Sequence, residues 1–564
     1  MLHNKYSLMS LSFLAKQKIF IALFLITLGA FFLRVNKVTE DPPSLNWDEV
    51  SIGYNAYSIL KTGRDEWNQF LPLHFKSYGE YKLPVQIYGS IPAIAVFGLN
   101  DFGVRITPVV YGTLTVLLMF FLGRALLQNS LVGLVSSFLL AISPWHIQLT
   151  RASFESSFAV FWLVLGSWFL VKSFKDRKWL FWSILPFVLA VYTYNSTRIF
   201  TPIFLAFCLS VYWRDFIKQK KILAISLITF AILTIPVVQF VLSGAGSARY
   251  KLVSVTDDPG LIPRINESRG QSTLPQPLPQ LIHNKVVYIT SVYISHYLAH
   301  FTSDFLFING APHKQHHVQA VGELYAFQAP FLLLGILFLF KDKKKFSWLI
   351  IGWLLLAFIP VSVTNDSIPH ALRTLIAVPT YQFLTAYGLL VTYLWLKKQN
   401  KSLQVVSFGG GLVVLVVSLG LYLNNYYNIY PKLYSRDWQY GNRQVVDFVN
   451  KQVDKYDMVV FTRHYGEPHM FTLFYLNYDP AKFQNDPTLF RFETYDWIRV
   501  LRFDKFYFPD LGDTGTHFED IVKENPGKKM LLIGKSGDFP KEKQRLLSVK
   551  FLNGADAFDI VEVK

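Results

Sequence analysis

Long apolar stretches recur along this sequence, and they restrict the chain to few architectures. A helix needs about 20 mostly apolar residues to cross a bilayer. With 52% hydrophobic and only 16% charged residues, the composition is that of a membrane protein with many spans and some aqueous mass. The pattern predicts about eleven membrane helices, near residues 18–35, 104–123, 129–144, 156–172, 179–194, 199–214, 221–243, 322–340, 346–364, 372–396 and 403–424.

The basic residues predict which connections face the cytoplasm, because cytoplasmic loops are enriched in Lys and Arg. With a cytoplasmic N-terminus, kept as a signal anchor, basic clusters fall on every second connection. They lie at Lys5/Lys16/Lys18, Arg124, Lys172–Lys178, Arg214–Lys221, Lys341–Lys345 and Lys397–Lys401. The outer segments are then 36–103, 145–155, 195–198, 244–321, 365–371 and everything after about residue 425. We therefore predict that the unusual polar residues beside the spans lie outside the cytoplasm.

This orientation requires that one apolar segment does not cross. Residues 84–99 have the hydropathy of a span, yet counting them would move every later lysine cluster to the outside. Gln86, Gly89 and Pro92 weaken the segment as a span. We predict a helix that lies at the outer surface or enters it partway, and the same for residues 286–303.

The remaining bulk properties exclude several classes of protein. The formal net charge of +17 arises from short clusters between apolar runs, which indicates membrane topology rather than nucleic-acid binding. The single cysteine, Cys208, excludes a disulfide framework and a cysteine-based metal site. After residue 428 the hydropathy falls to that of a soluble domain. Short apolar runs at 458, 471, 530 and 558, which indicate strands, alternate with charged stretches at 441–453 and 541–547, which indicate helices. This alternation predicts a small α/β domain over 429–564.

The first outer loop carries the most informative polar residues. Asp48 and Glu49 follow the first span, and Lys82 begins the segment 84–99. Exposed acidic pairs are usually only solvated, and a lysine beside an apolar run commonly reaches the interface. The many aromatic residues around the pair favour a partly desolvated site instead, where a carboxylate becomes an effective general base. Lys82 would then contact an anionic group.

Three further outer turns supply candidate binding residues. Arg151 and Glu155 are four apart, so the choice is between a helical ion pair and contacts to a sugar. The turn at 192–198 offers Tyr194 and Arg198, which suit sugar and phosphate recognition or a membrane aromatic belt. His370 and Arg373 are three apart at the head of a span, where a helix N-terminus favours anions. The candidate site residues are thus Asp48, Glu49, Lys82, Arg151, Glu155, Tyr194, Arg198, His370 and Arg373.

Arg105 and the histidines of 312–323 have plainer interpretations. Arg105 is predicted to be an interfacial anchor or the partner of a structural ion pair. His313, His316 and His317 lack companion ligands at a recognisable metal spacing, so we predict a flexible surface loop there. We expect no metal and no cofactor.

A base and several cations at the outer membrane surface suit the transfer of a sugar from a lipid-linked phosphate. The phosphate leaves as a stable anion, so one base that deprotonates the acceptor hydroxyl suffices. Fixed positive charge stabilises the leaving group, and in-line attack inverts the anomeric carbon.

The sequence resembles a known family in these same residues. NWDE at 46–49, GEYKLP at 79–84, GLNDFGVRITPVVYG at 98–112 and PHALRTLIAVP at 369–379 resemble the dolichyl-phosphate-mannose protein mannosyltransferases. They are similar also to the bacterial undecaprenyl-phosphate aminoarabinose transferases, in the C-type glycosyltransferase (GT-C) superfamily. The resemblance implies a GT-C fold with helices beside the membrane after the first span. It implies Asp48 as base supported by Glu49, Lys82 on the lipid phosphate, and Glu155 as the nearest match to a second acidic residue.

We therefore predict a polytopic membrane glycosyltransferase domain, 1–428, followed by an extracytoplasmic domain, 429–564. Its donor would be a monosaccharide on a polyprenyl phosphate. Its acceptor would be a hydroxyl of a protein, glycan or lipid at the outer face of the plasma membrane. A flippase for lipid-linked sugars, an oligosaccharyltransferase and a glycan polymerase are the alternatives. A flippase is expected to carry ionisable residues deep within its spans, and an oligosaccharyltransferase a metal-binding acidic motif in the first loop.

Overall fold

The computed structural model describes residues 13–494, 497–511 and 516–564. The basic residue Lys5, used above to predict orientation, lies outside this part of the chain. Residues 13–434 are mainly helical. Their helices are α1 (Phe13–Val35), α2 (Trp47–Thr62), α3 (Pro84–Phe97), α4 (Asp101–Leu127), α5 (Ser130–Ile142), α6 (Pro144–Arg151), α7 (Glu155–Ser173), α8 (Lys178–Val191), α9 (Asn195–Val211), α10 (Trp213–Ile217), α11 (Lys220–Leu242), α12 (Ala248–Val253), α13 (Leu261–Gln271), α14 (Leu278–Ile282), α15 (Lys285–Ala299), α16 (Gln328–Lys341), α17 (Ser347–Leu356), α18 (Ile359–Ser362), α19 (Ala371–Thr374), α20 (Val378–Leu396), α21 (Lys401–Asn424) and α22 (Tyr430–Tyr434).

The apolar helices follow the predicted spans. Six among the described residues are long and apolar enough to cross a membrane, and a seventh is the pair α5 and α6, bent by 57°. Shorter apolar helices include α8, α9, α16 and the stretch Ser347–Ser362, which coincide with the other four predicted spans. The chain is therefore a polytopic helical membrane protein, while the count of eleven crossings stays a prediction.

The two segments predicted not to cross form short helices. α3 has 14 residues with Pro92 inside it, and Gln86 ties it to the membrane domain through a 2.8 Å hydrogen bond to Ser153 Oγ. α15 has 15 residues, none of them buried. Its exposed apolar side chains include Val286 and Leu298. Both helices are shorter than the roughly 20 residues that a crossing requires.

The C-terminal part is the predicted α/β domain. Its helices are α23 (Asn442–Asn450), α24 (Pro468–Tyr475), α25 (Pro480–Gln484) and α26 (Phe518–Glu524). A small hairpin of β1 (Phe75–Lys76) and β2 (Tyr81–Lys82) lies in the first outer loop, and the seven-stranded sheet contains β3 (Met458–Phe461), β4 (Phe490–Thr494), β5 (Trp497–Phe503), β6 (Phe506–Tyr507), β7 (Met530–Lys535), β8 (Leu547–Lys550) and β9 (Asp556–Val563). Its strand order is β4-β5-β6-β3-β7-β9-β8, and β3 runs parallel to both neighbours.

Two predictions inside this domain are wrong. The apolar run at 471, expected to be a strand, belongs to helix α24, whose side chains from Pro468 to Phe474 are all buried. A helix buried on all sides has no amphipathic period to distinguish it from a strand. The charged stretch 541–547, expected to be a helix, forms turns that lead into β8.

The first outer loop and the C-terminal domain share one hydrophobic core. Val50, Tyr54 and Ile59 of α2 belong to the same buried cluster as Phe474 and Phe503. Gly53 lies where a Cβ atom would come within 2.7 Å of the Phe474 ring, so α2 and α24 pack closely because this position has no side chain. The loop and the C-terminal domain are therefore packed as one unit on the same side of the membrane helices.

Candidate active site

A cavity of about 740 Å³ lies where the outer loops, the ends of the membrane helices and the C-terminal domain meet. Seven of the nine predicted site residues line it: Asp48, Lys82, Glu155, Tyr194, Arg198, His370 and Arg373. They come from five separate segments of the chain. The two others, Glu49 and Arg151, are buried outside it.

The first turn of α2 places the adjacent acids Asp48 and Glu49 in different environments. Asn46 caps the helix: its side chain accepts a hydrogen bond from the Glu49 N–H (3.0 Å), and the Glu49 carboxylate accepts one from the Asn46 N–H (3.2 Å). This capping box fixes Glu49 inward. Because successive helical residues point about 100° apart, Asp48 faces the cavity, and its side chain is 32% exposed.

Glu49 is a structural residue in this arrangement. It is fully buried and binds Arg105, also fully buried, through two contacts of 2.9 and 3.0 Å. The other Arg105 donors bind the backbone carbonyls of Val38, Pro42 and Ser44. The geometry therefore does not support Glu49 in the predicted catalytic pair, whereas it does show Arg105 as the partner of a structural ion pair.

Lys82 is surrounded by carboxylates. Its Nζ lies 2.6 Å from Asp48 Oδ1, 3.9 Å from Glu155 and 4.0 Å from Glu80, and only 3% of the side chain is exposed. Burial alone would lower the pKa of Lys82, but these three carboxylates outweigh it and raise the pKa. Lys82 is therefore charged and orients Asp48. One of its three N–H donors is used at hydrogen-bonding distance by Asp48.

Arg198, in the first turn of α9, contributes a second cation to the cavity. Its Nε and Nη2 atoms are buried, and neither binds an acceptor among the residues described. Its guanidinium lies 5.7 Å from the Phe240 ring. The α9 N-terminus has no side-chain cap, and its first residues, Asn195 and Ser196, line the cavity. Unpaired guanidinium donors beside an uncapped helix N-terminus form an anion site.

An apolar groove continues from Arg198 between α9 and α11. Its lining residues are Ile199, Pro202, Phe230, Thr234, Val237, Val238, Val241 and Leu242. Only 11% of the apolar stretch of α11 is buried within the protein. The groove therefore opens sideways, toward the region that lipid tails occupy around a membrane protein.

His370 and Arg373 are placed differently from the prediction. His370 itself caps the short helix α19, since its Nδ1 accepts the Arg373 N–H at 3.3 Å. This helix N-terminus is thus satisfied by the protein and does not provide an anion site. Arg373 donates to Asp366 and to Thr364 Oγ1, each at 2.7 Å, and is 6% exposed.

The histidine loop is not an exposed surface loop throughout, because His317 is buried and His313 and His316 are half-buried. The His313 and His316 rings stack at 3.7 Å, His316 lies 5.0 Å from His370, and His313 and His316 both line the cavity. Burial lowers the pKa of His313, which leaves it neutral at pH 7. The prediction of a flexible surface loop was wrong because the chain before α16 folds inward over the helix ends, which hydropathy does not reveal.

Arg151 lies beneath the cavity as a structural residue. It is fully buried and donates to the carbonyls of Leu33, Asn36 and Asp41 at 2.6–2.7 Å and to the Tyr426 hydroxyl at 2.9 Å. It does not pair with Glu155, because α6 ends at Arg151 and α7 begins at Glu155. The predicted ion pair is not formed, and of the two residues only Glu155 lines the cavity.

Three aromatic residues complete the site, and two of them, Trp47 and Tyr78, are among the aromatic residues around Asp48 that the sequence indicated. Trp47 and Tyr78 of the first loop and Trp497 of the C-terminal domain line the cavity. The position of Trp47 beside Asp48 was a visible signal. No local pattern linked Trp497 to the site, because the contact joins residues far apart in the chain. Within the described residues, no group of three or more His, Cys, Asp or Glu side chains is arranged to hold a metal ion.

The sequence comparisons relate this chain to one family. The model of the family Dolichyl-phosphate-mannose-protein mannosyltransferase matches residues 91–240, a range that includes Glu155, Tyr194 and Arg198. The putative mannosyltransferase YkcB of Bacillus subtilis (strain 168) is 25% identical over 201 residues, which are 34% of this chain and 27% of that protein. The chain thus matches just over a quarter of the length of this curated relative.

The solved structures establish the fold. ArnT from Cupriavidus metallidurans in the apo state aligns with a TM-score of 0.53 at 12% identity, covering 97% of this chain and 98% of that one. The same protein bound to undecaprenyl phosphate gives 0.51. The archaeal oligosaccharyltransferase AglB from Archaeoglobus fulgidus gives 0.50 at 14% identity, covering 86% of this chain and 62% of that one.

Fold and site together define the class of protein, a polytopic membrane protein with the GT-C fold and a sheet-containing C-terminal region. Within that class, the chain is similar to the mannosyltransferase family. The predicted resemblance to this family is confirmed.

Proposed function

We propose that this protein transfers a monosaccharide from a polyprenyl-phosphate donor to an acceptor hydroxyl at the outer face of the plasma membrane. One observation carries the proposal: a single cavity joins the Asp48 carboxylate, the Arg198 guanidinium and an apolar groove that opens sideways between α9 and α11. A lipid-linked sugar phosphate needs these three environments in that order. The ArnT structure with undecaprenyl phosphate supports the choice of donor.

Arg198 and Lys82 have different roles in the proposed reaction. The lipid tail lies in the α9/α11 groove, and Arg198 with the α9 N-terminus binds the phosphate. Lys82 holds Asp48 at 2.6 Å and has N–H donors left for a phosphate oxygen. Charge-assisted hydrogen bonds of this kind stabilise the negative charge that develops on the leaving phosphate.

Asp48 then acts as the general base. The acceptor oxygen attacks the anomeric carbon, its proton passes to Asp48, and the bond between the anomeric carbon and the phosphate oxygen breaks. The lipid phosphate takes the bonding electrons and leaves as an anion, so no general acid is required. One displacement inverts the anomeric carbon. Glu155, 3.9 Å from Lys82 Nζ, adds negative charge that favours the charged form of the lysine.

The test is transfer by the purified protein in lipid nanodiscs, given undecaprenyl-phosphate hexoses and candidate acceptors, with products identified by mass spectrometry. Asp48→Asn keeps the shape of the side chain but removes the base, so we expect transfer to fall about 10²- to 10⁴-fold while donor binding persists. Asp447→Asn is the matched control, because Asp447 is exposed on α23. Full transfer by Asp48→Asn would contradict the mechanism, and no transfer by the wild type to any acceptor or to water would contradict the function.

A further inference from the structure

Three aromatic rings from two distant parts of the chain form one cluster in the cavity wall beside Asp48. Trp497 stacks on Tyr78 with ring centroids 5.7 Å apart and an angle of 12° between the planes. Trp47, the residue before Asp48, contacts both: its ring lies 5.9 Å from Trp497 and 6.1 Å from Tyr78. All three line the cavity, and the mechanism above uses none of them.

The cluster is held by hydrogen bonds on all sides. Trp497 Nε1 donates to the Glu467 carboxylate at 2.6 Å, and Glu467 is only 4% exposed. The Tyr78 hydroxyl donates to the Trp47 carbonyl at 2.9 Å, and the Trp47 N–H donates to Gln439 Oε1 at 2.8 Å. Side-chain hydrogen bonds therefore orient the Trp497 and Tyr78 rings, and Trp47 is held through its backbone, which gives the rigidity that a binding platform requires.

The neighbouring groups indicate which ligand such a platform takes. A pyranose ring has a face of C–H groups, which pack on an aromatic ring, and a rim of hydroxyls, which bind carboxylates. Asp48 and Glu80 lie in the same part of the cavity as the three rings. The combination of aromatic face and carboxylates matches a sugar better than an aliphatic hydroxyl on a peptide.

We propose that Trp497, supported by Tyr78 and Trp47, stacks on a pyranose ring of the acceptor, so that the acceptor is a sugar-containing molecule. The inference rests on the proposed function, which makes Asp48 the base that takes the acceptor proton. The donor phosphate is placed at Arg198 and its tail in the α9/α11 groove, whereas Trp497 belongs to the C-terminal domain and contacts the residue beside the base. This position assigns the platform to the acceptor rather than to the donor sugar.

Saturation-transfer NMR on the full chain in nanodiscs tests the platform without requiring turnover. With methyl hexopyranosides as probes, we expect saturation of the ring C–H protons by the wild type, at least a fivefold loss in Trp497→Ala, and retention in Trp497→Phe, which keeps an aromatic face. Trp395→Ala is the control, because Trp395 is 55% exposed at the end of α20. Equal saturation in all variants, or saturation of a threonine peptide but of no glycoside, would overturn the proposal.

Kinetics and donor binding separate the two sugar sources. For the acceptor platform, Trp497→Ala raises the KM for the glycoside at least tenfold while kcat and the affinity for undecaprenyl-phosphate hexose change less than twofold. Loss of donor affinity in Trp497→Ala, with glycoside saturation intact, would overturn the assignment to the acceptor. If the wild type transfers no sugar yet shows saturation that depends on Trp497, the proposed function fails while sugar binding at the platform stands.

Discussion

The two walls of the cavity are built in opposite ways. The wall formed by α9 and α11 is thin, and only Ser226, Thr234 and Val237 are buried in the 23 residues of α11. The wall formed by α2 and the C-terminal domain belongs to a continuous buried core. The thin wall suits a lipid that enters and leaves sideways, and the thick wall suits groups that must stay in one orientation during a reaction.

The wall formed by α2 and the C-terminal domain also depends on the ion pair of Glu49 and Arg105, which takes no part in the proposed reaction. Glu49→Ala leaves the fully buried Arg105 without its carboxylate, and breaking a buried pair in this way costs about 3–5 kcal/mol. We expect a marked fall in the thermal unfolding temperature and in the yield of folded protein, measured by fluorescence-detected unfolding in detergent. Asp447→Ala is the control, because it removes an exposed acid on α23 and is expected to change stability by less than about 1 kcal/mol. A Glu49→Ala protein with normal stability but no transfer would show that Glu49 takes part in the chemistry.

A substitution in the wall formed by α9 and α11 is expected to weaken lipid binding rather than to lower the stability of the protein. Arg198→Gln removes the guanidinium charge from a residue with two unpaired donor atoms, and hydrogen bonds to charged groups contribute about 1.5–3 kcal/mol. We expect undecaprenyl phosphate to bind about 10- to 100-fold more weakly, measured by native mass spectrometry, with little change in unfolding temperature. Arg214→Gln, on the exposed side of α10, is the control. Unchanged binding in Arg198→Gln would place the phosphate elsewhere.

The smallest expected effect is on the pH dependence of stability, where the first loop packs against the C-terminal domain. Burial raises the pKa of Glu66 from 4.5 to about 7. Since the folded pKa is the higher one, the stability contributed by protonated Glu66 is full below about pH 4.5 and is lost as the pH rises through 7. We expect Glu66→Gln to flatten the dependence of the unfolding temperature on pH across this window. Glu40→Gln, at an exposed position, is expected to leave the slope as it is; a wild-type slope in Glu66→Gln would disprove the assignment.

The sequence indicated those cavity residues that lie beside apolar helices. Seven of the nine predicted residues line the cavity; they were predicted because polar and charged side chains beside apolar helices are rare and stand out in the sequence. Glu49 and Arg151 have the same sequence character as Asp48 and Arg198, yet they are buried and bound by the protein. The sequence did not indicate Trp497, because only the packing of the C-terminal domain on α2 brings it to the cavity.

The sequence by itself determined the membrane class, the order of the apolar helices and the presence of a C-terminal α/β domain. These follow from hydropathy and charge, which act locally along the chain. Tertiary structure alone decided where the groove opens and that the C-terminal domain shares a core with the first loop. Those outcomes depend on contacts between segments hundreds of residues apart, and a local pattern carries no information about such contacts.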